Sequence, residues 1–258
     1  MFLVLNFFYI FRKSVLKNVL NKINYIKIYK NNSKIDINIY IFFKQLLISE
    51  IIQKKERLLV HKNSNFYNKN YIFEDQDWFS HNVPIWKSIF DIENINEKKL
   101  EYLEIGSYEG RSILYICENY KKINVTAVDP YTDYKEISKF VKKLNMENIY
   151  KNFLKNINKF SDRVKLYRSI SSEFFKQNTK KFDIIYLDGS HYFSDVMEDF
   201  QNSIKTINKG GIIILDDFLW NHYEKIQENP IAGIIPNLKK YPNLKILSVS
   251  YQLILKVI

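Results

Sequence analysis

Four apolar runs in this chain each end in an acid or a glycine, and those ends are where its chemistry lies. Tyr102-Leu-Glu-Ile-Gly-Ser-Tyr-Glu-Gly-Arg-Ser112 closes in a turn of the form Glu-x-Gly-x-x-x-Gly, built on Glu104, Gly106 and Gly110. Val125-Thr-Ala-Val-Asp-Pro130 ends at Asp129, and Phe182-Asp-Ile-Ile-Tyr-Leu-Asp-Gly-Ser-His191 at Asp188 and His191. Gly210-Gly-Ile-Ile-Ile-Leu-Asp-Asp217 ends at the pair Asp216 and Asp217. In an open α/β sheet, ligands sit outside the carboxyl ends of the strands, so these residues describe a crevice for a nucleotide-type cofactor. A dinucleotide turn would read Gly-x-Gly-x-x-Gly, with a helix N-terminus against a pyrophosphate. Here Ser107 follows Gly106 and the second glycine stands four residues on, a spacing that favours a ligand without phosphate at that point. Asp129, 25 residues after Glu104, is placed to accept hydrogen bonds from two ribose hydroxyls. Ribose without pyrophosphate points to an adenosyl ligand.

On these residues the chain resembles a class I S-adenosylmethionine-dependent methyltransferase, over roughly residues 70 to 258, with the motifs in the family's order. The resemblance implies S-adenosylmethionine as cofactor, with Glu104, Gly106, Ser107 and Gly110 in the cofactor loop and Asp129 on the ribose. Ile170 and Ser171 fall where the family places adenine contacts, although Ser169-Ile170 replaces its usual Gly-Asp. Asp188 would lie beside the cofactor. The pattern Asp-Gly-x-His followed by an Asp-Asp pair is similar to that of metal-dependent O-methyltransferases of the macrocin and sugar-modifying kind. In those relatives the matching acids hold the metal and the matching histidine is the base. Carried over, this makes Asp188, Asp216 and Asp217 candidate ligands for Mg2+ and His191 the candidate catalytic base. Converging carboxylates repel unless neutralised, oxygen ligands suit a hard cation, and an imidazole can take a hydroxyl proton near neutral pH. Set against this, Asp188 and Asp216 are also the residue type that caps the turn after a strand, and a loop histidine is often only hydrogen-bonded at a surface. Asp183 and Asp195 read as the start of a strand and the solvent face of a helix.

The elements that must position these residues read as an α/β fold: a Rossmann-like seven-stranded mixed sheet, its last strand antiparallel, helices on both faces, and an N-terminal helical extension. We expect residues 1–70 as the extension and 71–258 as the methyltransferase domain. Ile184–Leu187 and Ile212–Leu215 are uniformly apolar, as strands buried on both faces are. Arg111–Tyr120 carries apolar residues at helical spacing, Val164–Tyr167 is a third strand, and Leu244–Lys256 reads as a closing hairpin. Pro84 opens a helix over 85–91, where its missing N–H costs nothing. By analogy with related methyltransferases Trp78, Phe79, His81 and Trp86 line the pocket; as aromatic residues they fit a core equally well. Upstream, Ile35, Ile39, Phe42 and Leu46 predict a helix near 34–60, bounded by loops at Asn31–Lys34 and Lys62–Asn65. Met1–Phe11 is apolar but too short to span a bilayer and lacks the features of a signal peptide. It reads as a packing element, with membrane-surface contact as the other reading.

At 258 residues and 46% apolar the chain has ample material for a core. One cysteine, Cys117, excludes an internal disulfide and fits a cytoplasmic protein. The net charge of +11 is spread along a chain rich in lysine, asparagine and isoleucine, so nucleic acid is not expected as a partner. Leu187-Asp-Gly-Ser, where base-directed N-methyltransferases carry Asn/Asp-Pro-Pro-aromatic, points the same way. The expected acceptor is a small molecule or sugar hydroxyl, and an oligomer stays open. The alternatives are a metal-independent methyltransferase acting on a macromolecule and a cofactor-binding scaffold without turnover.

Overall fold

The computed structural model describes residues 13–63, 71–74, 76–132 and 145–258. The expected packing element at 1–11 and residues 64–65 of the second expected loop lie outside the described residues. Two helices, α1 (Lys13–Ser33) and α2 (Ile39–Asn63), precede α3 (Val83–Ile92). Then β1 (Leu100–Ile105), α4 (Arg111–Asn119), β2 (Ile123–Val128), α5 (Met146–Ile157), β3 (Val164–Tyr167), α6 (Ser171–Gln177) and β4 (Phe182–Leu187) alternate. The chain closes with α7 (Phe193–Thr206), β5 (Ile207–Leu215), α8 (Pro230–Lys240), β6 (Leu244–Val249) and β7 (Leu253–Val257). Among the described residues no helix is long and apolar enough to cross a membrane.

The strands form one seven-stranded sheet in the order β3-β2-β1-β4-β5-β7-β6. Every pairing among β1 to β5 is parallel, and β7 runs antiparallel to both of its neighbours. The expected mixed sheet, with only its last strand reversed, is therefore present. Successive side chains alternate between faces, and both faces are buried. Tyr102, Ile184, Tyr186, Ile212 and Ile214 pack under α3, α4 and α5. Leu103, Ile105, Ile185, Leu187, Ile213 and Leu215 pack under α6, α7 and α8, on the side that α1 and α2 also cover. Helices on both faces are what allow near-continuous apolar strands.

The N-terminal boundaries differ from expectation. Helix α1 runs through Asn31, Asn32 and Ser33, and the break falls at Lys34–Asn38, where Lys34 takes a left-handed φ of 56°. Helix α2 accordingly starts at Ile39, with the Asn38 side chain accepting from the Ile41 N–H. The stripe Val15, Val19, Ile23 and Ile26 is helically spaced and buried, but asparagine and lysine around it dilute the pattern.

One glycine fixes the sheet's carboxyl edge. Gly106 has φ +85°, and a Cβ there would stand 1.9 Å from the Asp188 carbonyl oxygen. Gly210 has a similar φ of +80° but nothing within 4 Å of a Cβ. Gly210→Ala should therefore cost only the left-handed strain, about 1–2 kcal/mol, whereas Gly106→Ala also forces two backbones apart and should cost more than about 4 kcal/mol. Urea unfolding of the two variants measures this, and equal losses would contradict it.

Candidate functional site

The backbone ladder of the parallel strands continues one residue beyond their ends. Gly106 N donates to Val128 O at 2.9 Å, Asp188 N to Ile105 O at 2.8 Å, and Asp216 N to Leu187 O at 2.9 Å. Asp129 N donates to Tyr167 O at 3.2 Å. The sequence-identified residues of four strands are thus brought to one rim.

Glu104, at the end of β1, is fully buried. Its carboxylate accepts from the Tyr102 hydroxyl at 2.5 Å and the Ser112 hydroxyl at 2.7 Å. Burial pushes its pKa up to about 8; the two hydroxyls oppose the shift, while Asp129 and Asp216 add to it. Ser107 is 2% exposed and its Oγ has no protein partner. Gly110, with φ +81°, caps α4.

Asp129 is also buried and holds the loop backbone. Its Oδ2 accepts from Tyr108 N at 2.9 Å and its Oδ1 from Tyr131 N at 2.8 Å. The Tyr131 hydroxyl donates to Tyr108 O at 3.0 Å, and both tyrosines have left-handed φ, 44° for Tyr108 and 51° for Tyr131. Strained non-glycine residues of this kind concentrate at ligand clamps. Burial raises the Asp129 pKa, and the backbone bonds of residues 108, 131 and 107 pull against that rise. Ile170 is exposed, and Ser171 opens α6, its hydrogen bond with Asp199 tying that turn to α7.

The acids after β4 and β5 divide into two groups. Tyr186 is fully buried, and its hydroxyl contacts both Asp188 Oδ2, at 2.9 Å, and Asp216 Oδ2. Asp216 Oδ2 also accepts from Gln252 Nε2 at 2.9 Å, and Trp86 Nε1 donates to Gln252 Oε1 at 2.7 Å. A tyrosine hydroxyl has one proton to give, so two ionised carboxylates cannot both be satisfied by it. The Asp216 carboxyl is pushed up to about 7, first by desolvation and then by the charge of Asp217, against the hydrogen bonds from Tyr186 and Gln252. Asp188 is raised well above its ordinary range by burial and by Asp216 and Asp217.

Asp217 faces the other way. It has a left-handed φ of 52°, and its Oδ2 lies 2.7 Å from His191 Nε2. The His191 ring stacks on Trp220 with centroids 4.9 Å apart. One ligand atom each from Asp188, His191 and Asp217 lies within 4.8 Å of the others. Two carboxylates and an imidazole fit a divalent cation. The geometry therefore joins His191 to Asp188 and Asp217, with Asp216 engaged by Tyr186 and Gln252. Asp183 accepts from Glu101 N at 2.9 Å and Asn208 Nδ2 at 2.8 Å, while Asp195 is exposed on α7. Of the aromatic segment, Phe79 and Trp86 are core, Trp78 is 54% exposed, and His81 packs edge-on to Tyr251. Sequence reasoning missed Tyr186, which sits unremarked inside an apolar run, and Gln252, Trp220 and Tyr251, which belong to no motif.

Residues 103–218 match the family model described as a methyltransferase domain, a stretch that contains the expected cofactor, metal and base residues but not the aromatic segment at 78–86. An uncharacterized protein of Acanthamoeba polyphaga mimivirus is 24% identical over 164 residues, 64% of this chain and 70% of that one. A solved Staphylococcus aureus structure, proposed as a caffeoyl-CoA O-methyltransferase, superposes with a TM-score of 0.54 at 17% identity, over 80% of this chain and 98% of that one. The MycE methyltransferase of the mycinamycin biosynthetic pathway, solved with Mg, SAH and mycinamycin VI, gives 0.51 at 13% identity, over 83% of this chain and 58% of that one. At these identities the structural likeness is one of fold.

The burial of Glu104 has a pH signature. Between the carboxylate pKa of the unfolded chain and about 8, the folded state keeps a proton that the unfolded state has lost. Its contribution is fully present below the unfolded value and is lost as pH rises through the folded one. Glu104→Gln should therefore reduce the decline of stability with pH over that window by about 1.4 kcal/mol per unit. Urea unfolding across that range measures it; a slope unchanged from the parent would mean that Glu104 is buried as the anion.

Proposed function

We propose that this chain is an S-adenosylmethionine-dependent methyltransferase that methylates a hydroxyl of a small molecule or sugar with assistance from a divalent metal such as Mg2+. The observation that carries the reading is the convergence of Asp188, His191 and Asp217 at the rim where the Gly106 turn meets the end of β4. The match to a methyltransferase domain over this stretch supports it, as do Mg and SAH in MycE, a protein of the same fold. We further read residues 71–258 as the methyltransferase domain and 1–70 as an extension.

The methyl of a sulfonium is already activated, so the protein's task is alignment and the exclusion of water. Glu104, Gly106, Ser107 and Gly110 shape the cofactor turn, Asp129 receives the ribose, and Ile170 and Ser171 border the adenine. Asp188, Asp216 and Asp217 are the acids that would hold the metal, with Asp188 and Asp217 facing the space beside His191 and Asp216 joined to Asp188 through Tyr186. A bound metal would supply charge that lowers the pKa of the acceptor hydroxyl. Asp217 orients the His191 ring through its contact with Nε2, and the imidazole takes the hydroxyl proton. Trp220 keeps the ring in plane for that transfer.

Titration calorimetry with S-adenosylmethionine should show binding by the parent and its loss in Asp129→Ala. With an acceptor found by screening sugars and small hydroxylated compounds, His191→Ala should lower turnover by about 10²–10⁴, and chelation should remove most of it. Binding without metal-dependent turnover would favour a metal-independent enzyme acting on a macromolecule; binding with no turnover would favour a scaffold. No binding by the parent would defeat the proposal.

A further inference from the structure

The positive charge that is spread along the sequence is gathered in space. Leu100 pairs with Ile123, Phe182 with Ile207 and Leu244 with Val257, so the first residues of β1, β2, β4, β5 and β6 share one edge of the sheet with the end of β7. This amino edge lies opposite the rim of Asp129, Asp188 and Asp216. Lysine pairs stand in the segments entering β1, β2, β4 and β6, at 98–99, 121–122, 180–181 and 239–240, and Lys209 lies near the start of β5. All of these lysines are exposed. Acids at the same edge are already engaged: Glu97 with Lys122 at 4.0 Å, Glu101 with Lys180 at 3.7 Å, and Asp183 with Asn208 and the Glu101 N–H. Before β3 the charges balance, with Asp162 exposed and Arg163 turned in to the carbonyl oxygens of residues 117, 120 and 123. Two large aliphatic side chains break the polar edge: Ile92 is 73% exposed and Ile258 62%. Ile92 ends α3, whose neighbour Glu93 reaches Lys256 of β7 at 2.5 Å, and Ile258 follows β7, its N–H donating to Asn243 O at 2.9 Å.

We propose that the amino edge docks on an anionic lipid surface, the lysine pairs meeting the headgroups and Ile92 and Ile258 entering the boundary beneath them. Lysines near a surface of acidic lipids are drawn to it without a fixed geometry, and their attractions accumulate. Exposed aliphatic residues beside a basic set add the burial of apolar area. Nucleic acid would ask for more: arginine, whose planar fork matches phosphate, and rings on which bases stack. At this edge Arg163 is spent on backbone carbonyls, and Tyr241 is half-buried with the Lys240 ammonium 5.3 Å above its ring. Docked in this way the protein turns its carboxyl rim away from the lipid, and whatever enters the crevice comes from the water side. The edge is separate from the crevice, so the docking stands whether or not the crevice transfers a methyl group.

Sedimentation with lipid vesicles tests the docking. The parent should bind vesicles of phosphatidylserine and phosphatidylcholine in equal parts at least about tenfold more tightly than vesicles of phosphatidylcholine alone. Most of that preference should vanish at about 1 M salt, where charges act over only about 3 Å. Lys99→Glu, Lys121→Glu, Lys209→Glu and Lys239→Glu together should weaken binding to the mixed vesicles at least about tenfold. The same change of charge at the exposed Lys17, Lys27, Lys44 and Lys151, on α1, α2 and α5, should leave it within about threefold of the parent. Ile92→Ser with Ile258→Ser should remove binding that persists at high salt. No preference of the parent for the acidic vesicles, retained binding by the edge variant, or an equal loss in the two charge variants would overturn the docking. If the edge variant keeps the vesicles and loses a duplex oligonucleotide that the parent binds, the edge is a nucleic-acid surface and the lipid assignment is wrong. Should the edge variant not fold, glutamine at the same four positions decides by the same comparison.

Discussion

The close approach of the β1 turn to the end of β4 is the constraint on which the crevice depends. Gly106 can lie against the Asp188 carbonyl only because it has no Cβ. With that contact made, the ladder carries one step past the strands and joins Gly106, Asp129, Asp188 and Asp216 in a row. Their spacing follows from strand pairing of about 4.8 Å between neighbours. The loops contribute the second half of each site, but the sheet has already set where the first half stands.

Bringing acids into such a row is costly, because buried like charges repel and lose their hydration. The protein meets that cost with donors from beneath and beside the rim. Tyr186 rises from β4 between Asp188 and Asp216, and Gln252, itself held by Trp86, reaches Asp216 from the start of β7. The two members of the Asp-Asp pair consequently do different things. Asp216 turns inward to Tyr186 and Gln252; Asp217 takes a left-handed backbone and turns outward to His191. A left-handed aspartate is tolerable because its short polar side chain bonds locally, and here that conformation is what points its carboxylate at the imidazole.

This division explains what the sequence could and could not disclose. The apolar runs ending in Glu104, Asp129, Asp188 and Asp216 are visible because strand patterning, glycine turns and rim position are all local properties of the chain. The seven-stranded sheet and its reversed last strand were legible through the fold that the motifs resemble. Partners supplied from a distance leave no such mark. Tyr186 reads as one more bulky residue in Ile184-Ile-Tyr-Leu187, and Gln252 as part of a hairpin turn. The first helix was hidden for a different reason: lysine and asparagine crowd its sequence, so its buried stripe is narrow. The misplaced loop at Asn31–Ser33 came from treating those asparagines as turn residues, when packing of Val15, Val19, Ile23 and Ile26 holds the helix past them.

That first helix bears on the chemistry more directly than its composition suggests. The Tyr25 hydroxyl donates to Trp220 O at 3.2 Å, and Phe42 of α2 stacks on Phe218 with centroids 6.0 Å apart. Ser49 and Ser248 share a hydrogen bond of 2.8 Å that ties α2 to β6. Residues 218 to 220 follow immediately on the Asp-Asp pair, and Trp220 is the ring on which His191 stacks. The helices ahead of the sheet therefore brace the loop that orients the imidazole. A loop after a parallel strand is otherwise held only at its two ends and is among the more mobile parts of a fold. The apolar and hydrogen-bonded contacts from α1 and α2 restrict it from outside, as the Tyr186–Gln252 bonds restrict it from within. Holding reacting groups within a fraction of an ångström depends on such supporting contacts more than on the groups themselves. The physical case for the N-terminal helices is thus positional: they make the far side of the His191 site as well packed as the near side.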